Sequence, residues 1–467
     1  MEGASITERR ELDLRALAPQ LLFIFLVLGI PVGVCIAGTI FRDGDVSWQL
    51  AAGNWILQHR SIPSTDPFSF TAAGHPWIAT EWLAEIIYAI GFQLDGYGGV
   101  ATLVAASLII LNAIVFFYLQ RRTSPMVFSP ALLAMNLVLG RFILARPHVF
   151  AWALLAAWTL LLLRSAEKGR PPSLWSAVLL VIWTNIHPSF PLAPIVAGGI
   201  GLDALIETKW ATLGDWLIFG GVSAGALMLN ANGLAGVVQP IRISLLSSLS
   251  AIGEWRATSP TNSPIFFWLF ILGLGLILWS RIKIPLGRLL LLLTLLALSF
   301  SHVRHQASFA IVAACIVPTL WRSQPDRHQV QQWFLIAAIP FLAYSVLKPI
   351  TPPESNANPW HLIRAIPPQL RNEPVLNEYS FGGPLILAGI KPYIDGRAEM
   401  YGDDFVKNYT DIADGNMQAF DLAVKRYGIR WIMWPTISKK LPNALDRSGE
   451  WRRIYADRIG LIYVKLH

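Results

Sequence analysis

Charge is scarce in this chain. Only 14% of its 467 residues are Asp, Glu, Lys or Arg, where an ordinary soluble domain has about a quarter. Apolar residues make up 54%, and the mean hydropathy is +0.49. A soluble fold of this length has too little interior for that much apolar surface, so the composition predicts an integral membrane protein and excludes a disordered chain. Cysteine is scarcer still. Cys35 and Cys315 are the only two, both inside apolar runs, which excludes a disulfide scaffold and predicts buried thiols. Internal repeats and low-complexity tracts are also absent. The 37 basic residues exceed the 29 acidic ones and leave a net charge of +8. Such an excess invites a nucleic-acid reading, but here it sits in short loops between apolar runs, so no nucleic-acid partner is expected.

Apolar runs recur about eleven times, from Leu17–Phe41 to Trp333–Leu347. The expected fold class is a polytopic α-helical membrane protein of about 11 transmembrane helices (residues 1–348), then a small α/β extracytoplasmic domain (349–467). The first run follows Arg9, Arg10 and Arg15 and ends at Arg42-Asp43, which reads as an uncleaved signal anchor. Alternate loops hold Arg121-Arg122, Arg164, Lys168, Arg170, Lys209, Arg281, Lys283, Arg288, Arg322 and Arg327. The positive-inside rule assigns these and the N-terminus to the cytoplasm. The remaining loops face outward and carry Asp, Glu, His and Asn. A Pro-rich linker (Pro349, Pro352, Pro353, Pro359) precedes the last segment. There Pro374–Asn377, Lys391–Ile394, Ile429–Trp434, Trp451–Tyr455 and Gly460–Lys465 read as strands, and Asp403–Ile412 and Met417–Tyr427 as helices.

The outer loop 42–97 opens Arg42-Asp43-Gly44-Asp45 at the membrane edge. Ionisable residues there are costly unless paired or functional. An Asp-x-Asp pair can hold a divalent cation such as Mg or Mn through oxygen, or one carboxylate can accept a proton from an attacking group. Equally, Asp43 can pair with Arg42 or cap the helix that follows. The loop continues through Ser47-Trp48-Gln49, Asp66-Pro67-Phe68-Ser69-Phe70 and Pro76-Trp77-Ile78-Ala79-Thr80-Glu81-Trp82-Leu83-Ala84-Glu85. Glu81 and Glu85, four apart, would repel on one helix face unless a cation lies between them.

These words resemble the first outer loop of the GT-C membrane glycosyltransferases of bacterial type, and more distantly that of oligosaccharyltransferase catalytic subunits. Further likeness lies in Ala145-Arg146-Pro147-His148, Asn185-Ile186-His187, Gly253-Glu254-Trp255, Arg304-His305 and Tyr393-Ile394-Asp395-Gly396-Arg397-Ala398-Glu399-Met400-Tyr401-Gly402. Gln49 departs from the pattern, which often has His there, and Ala231-Asn232-Gly233 stands in place of a Pro-Tyr-Gly run. The resemblance implies transfer of a sugar from a polyprenyl-phosphate donor to a glycan, lipid or protein acceptor at the outer face of a bacterial inner membrane. It implies Asp43 as general base, with Asp45 orienting the acceptor or sharing a metal. The lipid phosphate, gaining charge as it leaves, needs cationic groups. Arg304 flanked by His302 and His305 is the first expectation, with Arg146, His148, His187 and Glu81 as further substrate-binding residues. Glu85 and Glu254 are weaker expectations, and Asp395 and Arg397 are expected to pair within their own domain. Two other functions stay open: a transporter or flippase, for which Arg141 and Asp203 are the possible mid-membrane charges, and a non-catalytic scaffold of an envelope polysaccharide complex.

Overall fold

A computed structural model describes residues 14–246, 253–321, 323–326, 329–347 and 350–466. Arg9, Arg10, Arg322, Arg327, Pro349 and the expected boundary at 348/349 lie outside the described residues, as does the side chain of Arg15.

Among the described residues, four helical segments are long and apolar enough to cross a membrane: α1 (Pro19–Ile36), α3 (Trp82–Leu119), α5 (His148–Ala166) and a segment at Val303–Leu320. Between them lie α2 (Asp45–His59), α4 (Pro125–Leu139), α6 (Ala177–Ile186), α7 (Leu192–Glu207), α8 (Leu213–Leu227), α9 (Gly233–Ser244), α10 (Pro264–Ser280) and α11 (Leu286–Ser301). The Val303–Leu320 segment contains α12 (Gln306–Ile316), and α13 (Ala338–Leu347) follows. Several of these are apolar but shorter than a straight crossing.

Helix α3 explains how one apolar run serves two compartments. Its backbone leaves helical geometry at Asp95 and Gly96. The half after the break is the apolar run expected from Gly98 to Leu119. The half before it packs on α2 and belongs to the outer loop. The second half packs with α5, α5 with α7, α7 with α11 and α4 with α12, enclosing one continuous apolar core. Several polar groups inside that core are matched. Asn136 donates to Asn112 at 2.7 Å, joining α3 to α4, and Trp158 donates to the Ala193 carbonyl at 3.0 Å. Without water, such bonds hold helices together where lipid cannot. Helix α10 is apolar on every side and buries only Phe266, as a lipid-facing helix does.

The C-terminal domain, expected from the sequence to lie outside and named the outer domain for that expectation, carries a four-stranded sheet: β1 (Val375–Asn377), β2 (Trp431–Pro435), β3 (Trp451–Ala456) and β4 (Gly460–Lys465), ordered β1-β2-β4-β3. Only the β1–β2 pair is parallel. Every residue of β2 is buried, because the sheet is covered on both faces. Helices α14 (Gly382–Leu387), α15 (Asp403–Ala413), α16 (Met417–Tyr427) and α17 (Lys440–Ser448) complete the domain. One expectation needs correcting. Lys391–Ile394 is not a strand. The Asn377 side chain takes the place of a ladder, accepting from the Tyr393 amide at 2.7 Å and donating to the Ile394 carbonyl at 2.8 Å. The apolar residues there are buried, but side chains supply hydrogen bonds a partner strand would have made: Asn377, and Thr71 Oγ1, which donates to the Tyr393 carbonyl at 2.6 Å.

The domain docks on the start of α2 through glycines. A Cβ on Gly383 would stand 2.3 Å from the Gly44 carbonyl oxygen, so α14 and the Asp43-Gly44-Asp45 turn meet backbone to backbone.

Candidate active site

The turn before α2 sets the site. Asp43 Oδ1 accepts the Asp45 amide at 3.0 Å, and Asp45 opens the helix. Negative charge is favoured at such a terminus. Arg146, brought in by the turn before α5, binds three acids at once: Asp43 Oδ2 at 3.1 Å, Asp45 Oδ2 at 3.0 Å and Glu254 Oε1 at 3.1 Å. Trp48 Nε1 donates to Asp45 Oδ1 at 3.1 Å. Burial, reinforced by the Asp43 carboxylate, holds Asp45 well above the usual carboxylate range despite Arg146. Arg146 holds Glu254 below that range. As arranged, these residues do not fit the expected Mg or Mn ion. Arg146 occupies the point between the carboxylates, and among the described residues no three His, Cys, Asp or Glu are grouped to hold a metal.

Glu81 ends the loop and immediately precedes α3. Gln49 Nε2 donates to its Oε2 at 3.1 Å, and His187 Nε2 lies 3.5 Å from its Oε1. The Ser189 amide donates to His187 Nδ1, so Nε2 carries the proton that faces Glu81. Burial pushes Glu81 up to about 7, and it keeps His187 well below its usual value. Glu81 and Glu85 therefore do not pair around a cation. Glu81 turns toward Gln49 and His187, and Glu85 is buried in the first turn of α3.

Two adjoining cavities gather the expected residues. The first, about 490 Å³, is lined by Asp43, Asp45, Glu81, Glu85, Arg146, His187, Glu254 and Arg304 among others. The second, about 480 Å³, is lined by His148, His302 and His305 and by apolar side chains such as Trp152, Leu155, Ile241 and Leu298. Arg146, His187, Glu254 and Arg304 border both. Among the described residues Arg304 makes no ion pair; its guanidinium lies over the Trp255 ring, 4.5 Å from the centroid. His302 packs edge-on against the same ring and against His305. His148 Nε2 is 2.8 Å from the Phe142 carbonyl.

The two mid-membrane charges have local partners. Asp203 accepts from the Gly287 and Arg288 amides at 2.6 and 3.1 Å and pairs with Arg288, so it caps α11. Arg141 binds the Asn262 carbonyl and Ser263 Oγ.

Sequence reasoning missed Trp48, Tyr379, Gly396 and Glu399, which also line the first cavity. The tight word Asp395-Gly396-Arg397 was the signal available. It also placed Arg397 wholly in its own domain. The structure corrects this: Arg397 pairs with Asp395, as expected, and with Asp66 of the outer loop at 2.8 Å.

No family model matches the sequence, and no curated protein does. Among the solved structures that resemble it are two of the Archaeoglobus fulgidus oligosaccharyltransferase. The apo form is 11% identical, with a TM-score of 0.51 over 97% of this chain and 74% of that one. The form tethered with an acceptor peptide is 10% identical, with a TM-score of 0.53 over the same shares. The chain thus shares its fold with a membrane oligosaccharyltransferase across nearly its whole length.

Proposed function

We propose that this protein transfers a sugar from a polyprenyl-phosphate carrier to an acceptor at the outer face of a bacterial plasma membrane. About eleven crossings and a cytoplasmic N-terminus would place the Asp43 cavity and the sheet domain on that face. One observation carries the reading: Arg304, a guanidinium that makes no ion pair among the described residues, borders the same cavity as the Asp43–Asp45 pair. A cation held ready for an anion and a carboxylate held ready for a proton are what displacement of a phosphate by a hydroxyl requires. The shared fold supports the reading.

In this reaction the acceptor oxygen attacks the anomeric carbon as the bond to the lipid phosphate oxygen breaks, inverting that carbon. The acceptor proton passes to Asp43, the more exposed of the pair at 27% against 16%. The departing phosphate carries its charge to Arg304. Arg146 is already engaged by three carboxylates and so orients Asp43 and Asp45. The second, more apolar cavity admits the start of the prenyl chain, with His148, His302 and His305 around the phosphate. The step needs no metal, which would have to displace Arg146. The acceptor, whether glycan, lipid or protein, meets Glu81 and His187.

The test uses the radiolabelled polyprenyl-phosphate sugars of the producing membranes. Asp43→Asn should lower transfer about 10²–10⁴-fold, and Arg304→Gln about 10²–10³-fold. Full transfer by both variants would overturn the reading.

A further inference from the structure

The Asp395-Gly396-Arg397 turn belongs to the outer domain yet forms part of the wall around Asp45. Arg397 Nε and Nη2 donate to Asp395 at 2.8 and 2.7 Å, and Nη1 reaches Asp66 at 2.8 Å. All three side chains are fully buried. Asp66 is itself fixed by the Phe68 and Ser69 amides, each at 3.0 Å. The guanidinium is boxed by the rings of Trp77, Phe68 and Trp48, with centroids at 4.8, 5.2 and 6.0 Å. Against Trp48 lies Gly396. A Cβ there would stand 1.9 Å from Asp45 Oδ1 and 3.0 Å from Trp48 Nε1. Tyr379 donates to the Gly396 carbonyl at 3.1 Å and fixes the turn from its other side.

A buried ion cluster is a poor source of stability, since well-packed apolar residues often do as well. Its planar fork does fix geometry. Indole has a single donor, and here that donor takes Asp45 Oδ1 while Arg146 takes Oδ2. The direction of Trp48 therefore decides where the carboxylate points.

We propose that the Gly396-Arg397 turn positions the catalytic carboxylate pair: Arg397 seats Trp48, and Gly396 bounds the space in which Asp45 can lie. The outer domain is then a working part of the membrane-edge site. The inference rests on the reading of Asp43 and Asp45 given above.

Two measurements on the full-length protein test it. The first is ¹⁹F NMR of the 5-fluorotryptophan-labelled protein, with the Trp48 resonance assigned by its loss in Trp48→Phe. That resonance should move in Gly396→Ala and in Arg397→Lys. The second is transfer from the radiolabelled lipid-linked sugars. Gly396→Ala should lower kcat about 10²-fold, the scale of a small misplacement of a reacting group, with KM within about twofold. Trp48→Phe, which keeps an aromatic ring but loses the indole donor, should lower kcat in the same direction without a matching fall in Tm. An unmoved Trp48 resonance in both variants would overturn the proposal, as would a kcat that falls only in step with Tm. Full transfer by Asp45→Asn would overturn the underlying reading of the site and the catalytic half of this one. A moved resonance would still uphold the geometric half.

Discussion

Glu81 accepts from Gln49 and faces His187 Nε2 at 3.5 Å, yet burial still pushes it up to about 7 from an ordinary 4.5. An acid whose folded value is raised disfavours the folded state once the unfolded chain ionises. The penalty is absent below about pH 4.5, grows between there and about pH 7, and is complete above. Glu81→Gln removes it. The variant should therefore melt higher than the wild type at pH 8 and equally at pH 4, a gain of up to about 3 kcal/mol from the shift. Thermal melts of the detergent-solubilised protein across that range check this, and an equal difference at both ends would be the contrary result. Arg146 shows the opposite balance. Burial opposes its charge, but Asp45, Glu254 and Asp43 raise it well above the ordinary guanidinium range. Its replacement by Met would leave three carboxylates facing one another, so a loss of about 3–5 kcal/mol is expected.

Helices and strands show how far local pattern reaches. The four strands found lie where short apolar runs placed them, because the central strand of the sheet is buried on both faces. Tyr393-Ile394 misled for the same reason: it is buried like a strand, but the side chains of Asn377 and Thr71 pair with it. No periodicity in a sequence announces a side chain that substitutes for a strand. Asn377→Ala should test the substitution. It leaves a buried amide and a buried carbonyl without partners, costing about 1–3 kcal/mol, and should lower the Tm of the whole protein. Asp203 is a parallel case. Within its apolar run it looked like a possible transport residue, whereas in space it caps α11, 84 residues away. The residues bordering the two cavities were legible because polar words are few in so apolar a chain. Their pairing was not, since Arg146 joins acids from two loops distant from its own.

At the scale of the molecule, Asp66 and Arg397 join two compartments of the fold through one buried contact. Arg397→Met leaves Asp66 and Asp395 buried without a cation and should cost about 3–5 kcal/mol. Adding Asp66→Asn removes one stranded charge. The double variant should therefore be more stable than the sum of the singles predicts by about 2 kcal/mol, as contacting residues in one network do. Strict additivity in thermal melts would show that the two domains do not communicate through this pair.

The same contact sets an order of assembly. Asp66 and Arg397 are 331 residues apart. At roughly 5–20 residues per second of synthesis, the outer loop waits roughly 15–70 s for its counterion. Through that interval Asp66 has no guanidinium and Asp45 has no Gly396 beside it, so the nascent chain is exposed to the membrane with an open, unformed site. The contact can form only after Arg397 has been made. A ribosome that stalls before Gly396 and Arg397 therefore leaves a product in which Asp66 lacks its counterion and Asp45 lacks the turn that walls it in.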